Sequence, residues 1–90
     1  MNELVTQASN LWATVGLLAG TAQFQAIIVG DSLVLIVDMP NVGRKQSIRV
    51  RQSRRIPLSQ ASHLLPDIIP LLYRDTMQSV AQANNIGVKF

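Results

Sequence analysis

The sequence predicts an α+β domain in which an N-terminal helix and a C-terminal helix flank a three-stranded antiparallel meander. Apolar residues recur at helical spacing in residues 3–19 and again in residues 67–84. Between these segments, residues 21–58 hold three β-rich runs separated by turn sequences. A chain of 90 residues leaves no room for a second core, so we expect a single domain spanning residues 1–90.

The first helix is predicted over residues 3–19, with Gly20 at the position of a C-terminal cap. Its opposite face is polar but uncharged, which fits either a solvent-exposed surface or a contact with a partner. Trp12 lies beside the apolar stripe, and we predict it as an interface residue. The stripe consists of residues spaced three and four apart: Leu4, Ala8, Leu11, Val15 and Leu18.

The second strand, residues 33–39, is apolar on both faces and is therefore predicted to be central in the sheet. Helices can cover one of its faces. Because the chain is small, we expect the other face, with Val34 and Ile36, to contact a second subunit or a ligand. The apolar content of 48% supports the same prediction of a homodimer, since so small a domain buries little surface alone.

Pro57 is predicted to end the third strand, because proline cannot donate to the ladder. A short helical turn from Ser59 to Leu65 follows, and Pro66 separates it from a long helix over residues 67–84. Residues 86–90 alternate in polarity, so the tail either adds a short edge strand or packs against the domain.

Positive charge is concentrated around the third strand. Residues 1–43 carry a net charge of −3, whereas residues 44–90 carry +6. Arginine binds phosphate oxygens through two parallel hydrogen bonds, so a row of arginines suits a nucleic-acid backbone. Two other interpretations remain open: a charge-protected edge strand, or pairing of Arg49 and Arg51 with Asp38. The predicted nucleic-acid-binding residues are Arg44, Lys45, Arg49, Arg51, Arg54 and Arg55.

Catalytic and cofactor signatures are weak in this sequence. The absence of cysteine excludes disulfides and thiolate metal sites. Ser59, His63 and Asp67 are spaced four apart, but groups strung along a helix do not converge as a catalytic triad requires. We expect no enzymatic activity, no metal and no cofactor. No signal peptide or membrane span is recognised, so we expect a cytoplasmic protein without membrane contact.

The order of elements, together with residues 33–37, Gly43, 47–50 and 64–69, resembles the YbaB/EbfC family of bacterial nucleoid-associated proteins. The resemblance is one of pattern and extends over residues 3–84. It implies a homodimer with joined sheets that binds DNA with little or moderate sequence preference and has no enzymatic activity.

From these observations we expect a small, dimeric, DNA-binding protein of nucleoid-associated type that contacts phosphates through its basic third strand. The alternative is a protein-interaction adaptor or assembly factor that docks through its apolar helix and sheet face. The two differ in whether the arginines or the apolar residues govern binding.

Overall fold

A computed structural model of the protein describes residues 2–40 and 49–84. It has the predicted order of helix, three-stranded antiparallel meander and helix, so the α+β architecture is confirmed. Residues 41–48 lie outside the described residues, as does the tail at residues 86–90, for which the sequence left open a short edge strand or packing against the domain. The elements are α1 (Glu3–Ala13), a 3-10 turn (Ala19–Thr21), β1 (Gln23–Val29), β2 (Ser32–Met39), β3 (Val50–Pro57) and α2 (Leu58–Asn84).

The central position of β2 is confirmed, because the sheet has the order β1-β2-β3. Leu33, Leu35 and Val37 are fully buried on its inner face. They pack against residues of both helices: Ala8, Trp12, Ala61, Leu65, Ile69 and Leu72. Both helices therefore cover one face of the sheet, and no helix of the described residues lies on the opposite face, which we call the open face.

Helix α1 ends at Ala13, six residues before the predicted end. The hydroxyl of Thr14 donates to the carbonyl of Asn10 at 3.3 Å, where the helix stops. Beyond this point the chain crosses the aromatic ring of Tyr73. The backbone N–H of Leu18 donates to the Tyr73 hydroxyl at 3.2 Å. Tertiary contact with α2 thus overrides the helical periodicity of residues 14–19.

Trp12 lies inside the core rather than on the surface. Its side chain is only 4% exposed, and its ring stacks on Phe24 with centroids 5.1 Å apart. The Trp12 ring also meets Tyr73 edge-on at 5.7 Å, and its Nε1 donates to the carbonyl of Ala19 at 3.0 Å. A buried and fully bonded indole offers no surface to a partner, so we exclude Trp12 from the candidate interface.

Helix α2 is continuous through both of its prolines, contrary to the predicted break at Pro66. Pro66 has no N–H to bond the carbonyl of Ser62, four residues earlier. In this structure the side-chain amide of Gln7 donates to that carbonyl at 3.4 Å. Pro66 and Pro70 both lie on the exposed side of the helix. The prolines are tolerated because neither has to donate a bond within the core.

Candidate nucleic-acid interface

Strand β3 places its side chains alternately on the two faces of the sheet. Val50 and Ile56 are buried on the inner face, and Ile56 lies opposite Leu33 of β2. Since neighbouring residues of a strand point to opposite faces, the inner face also receives Gln52 and Arg54. The open face receives the residues between them: Arg51, Ser53, Arg55 and Pro57, all of which are exposed.

Arg54 belongs to the inner face and binds α2. Its Nη2 donates to Oδ2 of Asp75 at 2.5 Å, and its Nη1 donates to the carbonyl of Ser53 at 2.7 Å. Beside it, Gln52 donates to the hydroxyl of Ser79 on α2 at 3.1 Å. The bonds to Asp75 and Ser79 connect β3 to α2. We therefore exclude Arg54 from the predicted nucleic-acid-binding residues.

Arg49 precedes β3, and its side chain is 64% exposed. Its Nε lies 3.4 Å from Oδ1 of Asp38, so one of the predicted Arg–Asp pairs is present. Oδ1 of Asp38 is buried and accepts no hydrogen bond from the described residues, so this contact is an ion pair only. Asp38 therefore compensates part of the positive charge at the start of β3.

Arg51 and Arg55 are the available cations of the open face. Arg51 lies opposite Asp38 in the strand register, yet the carboxylate pairs with Arg49. Within residues 2–40 and 49–84, neither Arg51 nor Arg55 has an ion-pair or hydrogen-bond partner. The other two predicted basic residues, Arg44 and Lys45, lie outside the described residues.

The predicted partner residues share this face with the arginines. Val34 lies opposite Arg55 in the register, and Ile36 lies opposite Ser53. Both aliphatic side chains are half-buried. A shallow cavity of about 260 Å³ opens at the end of the face nearest the start of β1. It is lined by Gln23, Phe24, Gln25, Ile36, Asp38 and Arg51.

The two predicted sites therefore lie on one surface, which has an aliphatic centre and an arginine edge. Burial of Val34 and Ile36 against a second subunit and presentation of Arg51 and Arg55 to DNA would therefore compete for the same face. This conflict was not visible in the sequence, because it depends on the register of β3 against β2.

Ser53 is a member of this surface that the sequence analysis missed. It lies between Arg51 and Arg55 on the same side of β3. The signal that identifies it is strand parity: residues 51, 53 and 55 share a face once any one of them is placed.

Other candidate chemistry is dispersed. Ser59, His63 and Asp67 are all exposed along the continuous helix α2, with no convergence on a common point. In the described part of the chain, no group of three or more histidine, aspartate or glutamate residues is placed to hold a metal ion. Among the same residues, every helix is too short or too polar to cross a bilayer.

Comparison with family models, with curated proteins and with solved structures finds no match to this chain. The resemblance to the YbaB/EbfC family therefore stays a prediction.

Proposed function

We propose that the protein is a non-enzymatic DNA-binding protein that contacts duplex phosphates through Arg49, Arg51 and Arg55 on the open face of its sheet. One observation carries the proposal. Two exposed arginines of an edge strand, Arg51 and Arg55, have no partner within the described residues while a third arginine of the same strand, Arg54, is used for packing. An unpaired guanidinium keeps all its donors available for phosphate oxygens.

The spacing of the arginines supports contact with a duplex. Arg55 lies four positions after Arg51 in β3, which places their Cα atoms about 13 Å apart. That span is close to the width of the major groove of B-DNA, about 12 Å. Phosphate contacts fix position on the duplex without reading bases, so little sequence preference is expected.

A homodimer remains part of the proposal, and we place its interface away from the open face. Strand β1 forms an edge of the sheet and has no charged residue over Gln23–Val29. Proteins usually protect such edges with charge, proline or a covering element. The uncharged edge of β1 therefore supports pairing with a second copy, which leaves Arg51 and Arg55 accessible.

A protein-interaction adaptor is the second candidate, and the apolar centre of the open face favours it. Val34 and Ile36 are half-buried, and Val29 on the neighbouring strand is 44% exposed. An aliphatic centre bordered by arginines is a common composition for a protein-binding surface. On this view the arginines would form the rim, and DNA would not bind.

Binding to random-sequence duplex DNA across a salt series separates the two functions. Each phosphate contact steepens the fall of log affinity with log salt by about 0.9. We expect the double variant Arg51→Ala/Arg55→Ala to bind all sequences more weakly and to flatten the slope by about two units.

Arg74→Ala is the matched control. The side chain of Arg74 is 62% exposed, and its Nη2 lies 3.5 Å from Oδ1 of Asp75. Its exposure and ion pair resemble those of Arg49 beside Asp38. Arg74, however, belongs to α2, on the other side of the sheet. The control should bind like the wild type. Absence of any wild-type binding at about 50 mM salt and micromolar protein, where electrostatic binding is strong, would contradict the DNA proposal and favour the adaptor.

A further inference from the structure

The exposed side of β3 carries a hydroxyl between two guanidinium groups. Ser53 lies two residues from Arg51 and two residues from Arg55 on the same face. Each step of two residues along a strand is about 7 Å, so both arginines are within side-chain reach of a point above Ser53. The backbone carbonyl of Ser53 accepts from Arg54, but in the described residues its hydroxyl has no hydrogen-bond partner.

The neighbours of this triplet leave it free to bind an anion. Across the ladder, Ile36 lies opposite Ser53 and Val34 lies opposite Arg55, and neither can compete for a guanidinium. Asp38 lies directly opposite Arg51 in the register, but its carboxylate pairs with Arg49.

We propose that Arg51, Ser53 and Arg55 form a binding site for a single phosphate group, which we call the phosphate seat. The hydroxyl of Ser53 donates to one phosphate oxygen, while each guanidinium donates to the others. This inference rests on the proposed function, because it names the phosphate-binding unit of that surface. The same chemistry suits a phosphodiester of a DNA backbone and a free phosphate, so the experiment uses both.

The first arm titrates isotope-labelled protein with inorganic phosphate and follows the amide of Ser53 and the Nε–H signals of the arginines by NMR. We expect saturable shifts at Arg51, Ser53 and Arg55, and unchanged signals at Arg74. Ser53→Ala should weaken phosphate binding about three- to tenfold, as expected for one lost hydrogen bond. Ser9→Ala, which alters an exposed serine of α1, should have no effect.

The second arm measures duplex DNA binding by the same variants across a salt series. A neutral hydroxyl releases no counterion, so Ser53→Ala should lower affinity and leave the salt slope unchanged. Replacement of either arginine by alanine should instead reduce the slope by about 0.9. Ser53→Asp places a carboxylate between the guanidiniums and should abolish binding in both arms. Thermal unfolding of each variant verifies that the fold is retained.

The outcomes distinguish the two proposals. If DNA binds but Ser53→Ala has the same affinity as the wild type for both phosphate and DNA, the phosphate seat is refuted and the DNA-binding function stands. If phosphate shifts the three residues but DNA does not bind, the seat stands and serves a free phosphate ligand. If phosphate shifts Arg74 as strongly as Arg51, the interaction is non-specific and the seat is refuted. If neither ligand binds, both proposals fail.

Discussion

Arg54 of β3 donates from Nη2 to Oδ2 of Asp75 on α2 at 2.5 Å, and this contact joins the edge of the sheet to the long helix. The next residue, Arg55, points to the open face and has no partner among the described residues. Two adjacent arginines thus have different roles. One stabilises the packing of strand on helix, and the other supplies charge to the proposed DNA-binding surface.

We predict that Arg54→Ala destabilises the fold by about 1 kcal/mol, because it removes a charge-assisted bond that is only partly screened by solvent. Arg55→Ala should change stability by less than about 0.5 kcal/mol, as for most exposed positions. Urea unfolding of the two variants provides the comparison. Equal losses of stability in both would contradict the assignment of the two arginines to different faces.

Gly16 is predicted to be intolerant of any side chain. A Cβ at this position would overlap the aromatic ring of Tyr73, where the chain crosses α2. Gly16→Ala should therefore cost about 1–3 kcal/mol through overpacking. Gly20→Ala is the control, since a Cβ there would meet no atom within 4 Å, and it should be neutral or slightly stabilising. Thermal unfolding of both variants tests the prediction, and a neutral Gly16→Ala would show that the crossing is not tightly packed.

Leu35 is fully buried at the centre of β2, and Leu35→Ala should destabilise the protein by about 2–5 kcal/mol. The adjacent change Val34→Ala removes a half-buried side chain from the open face and should cost about 1 kcal/mol. Chemical denaturation of each variant measures the difference. Should the two variants lose the same stability, the open face would be as well packed as the core, which implies a covering partner.

We predict that the protein is a dimer at micromolar concentration. Sedimentation equilibrium measures this oligomeric state. If the dimer forms through the uncharged edge of β1, Gln25→Lys should weaken it, because an added charge on an edge strand disfavours pairing. Ile36→Thr, which retains a β-branched side chain on the open face, should leave the dimer intact. A dimer lost in Ile36→Thr would instead place the interface on the open face and would argue against DNA binding there. A monomeric wild type would refute the dimer and favour a different protein partner.

The sequence alone determined the order of elements and the central place of β2. An apolar strand such as residues 33–39 favours a central position with a partner strand on each side, and the turn sequence Gly30-Asp31-Ser32 favours a hairpin with the strand before it. These are local properties of composition and periodicity. They do not depend on which surface the helices cover.

Tertiary structure decided where α1 ends, why α2 is continuous, and which arginines are free. Residues 14–19 keep a helical apolar pattern, yet contact with Tyr73 draws them out of the helix. The carbonyl of Ser62, which Pro66 cannot bond, accepts from the side-chain amide of Gln7, which is 55 residues away in sequence and adjacent only in the fold.

The face of each arginine depends on the register of β3, in which Ile56 lies opposite Leu33. A shift of one residue would exchange the faces and turn Arg54 outward and Arg55 toward α2. The basic cluster is therefore visible in the sequence, but the division between a structural cation and a surface cation is set by one pairing of buried side chains. Local periodicity indicates that neighbouring arginines face opposite sides, but it does not specify this long-range pairing.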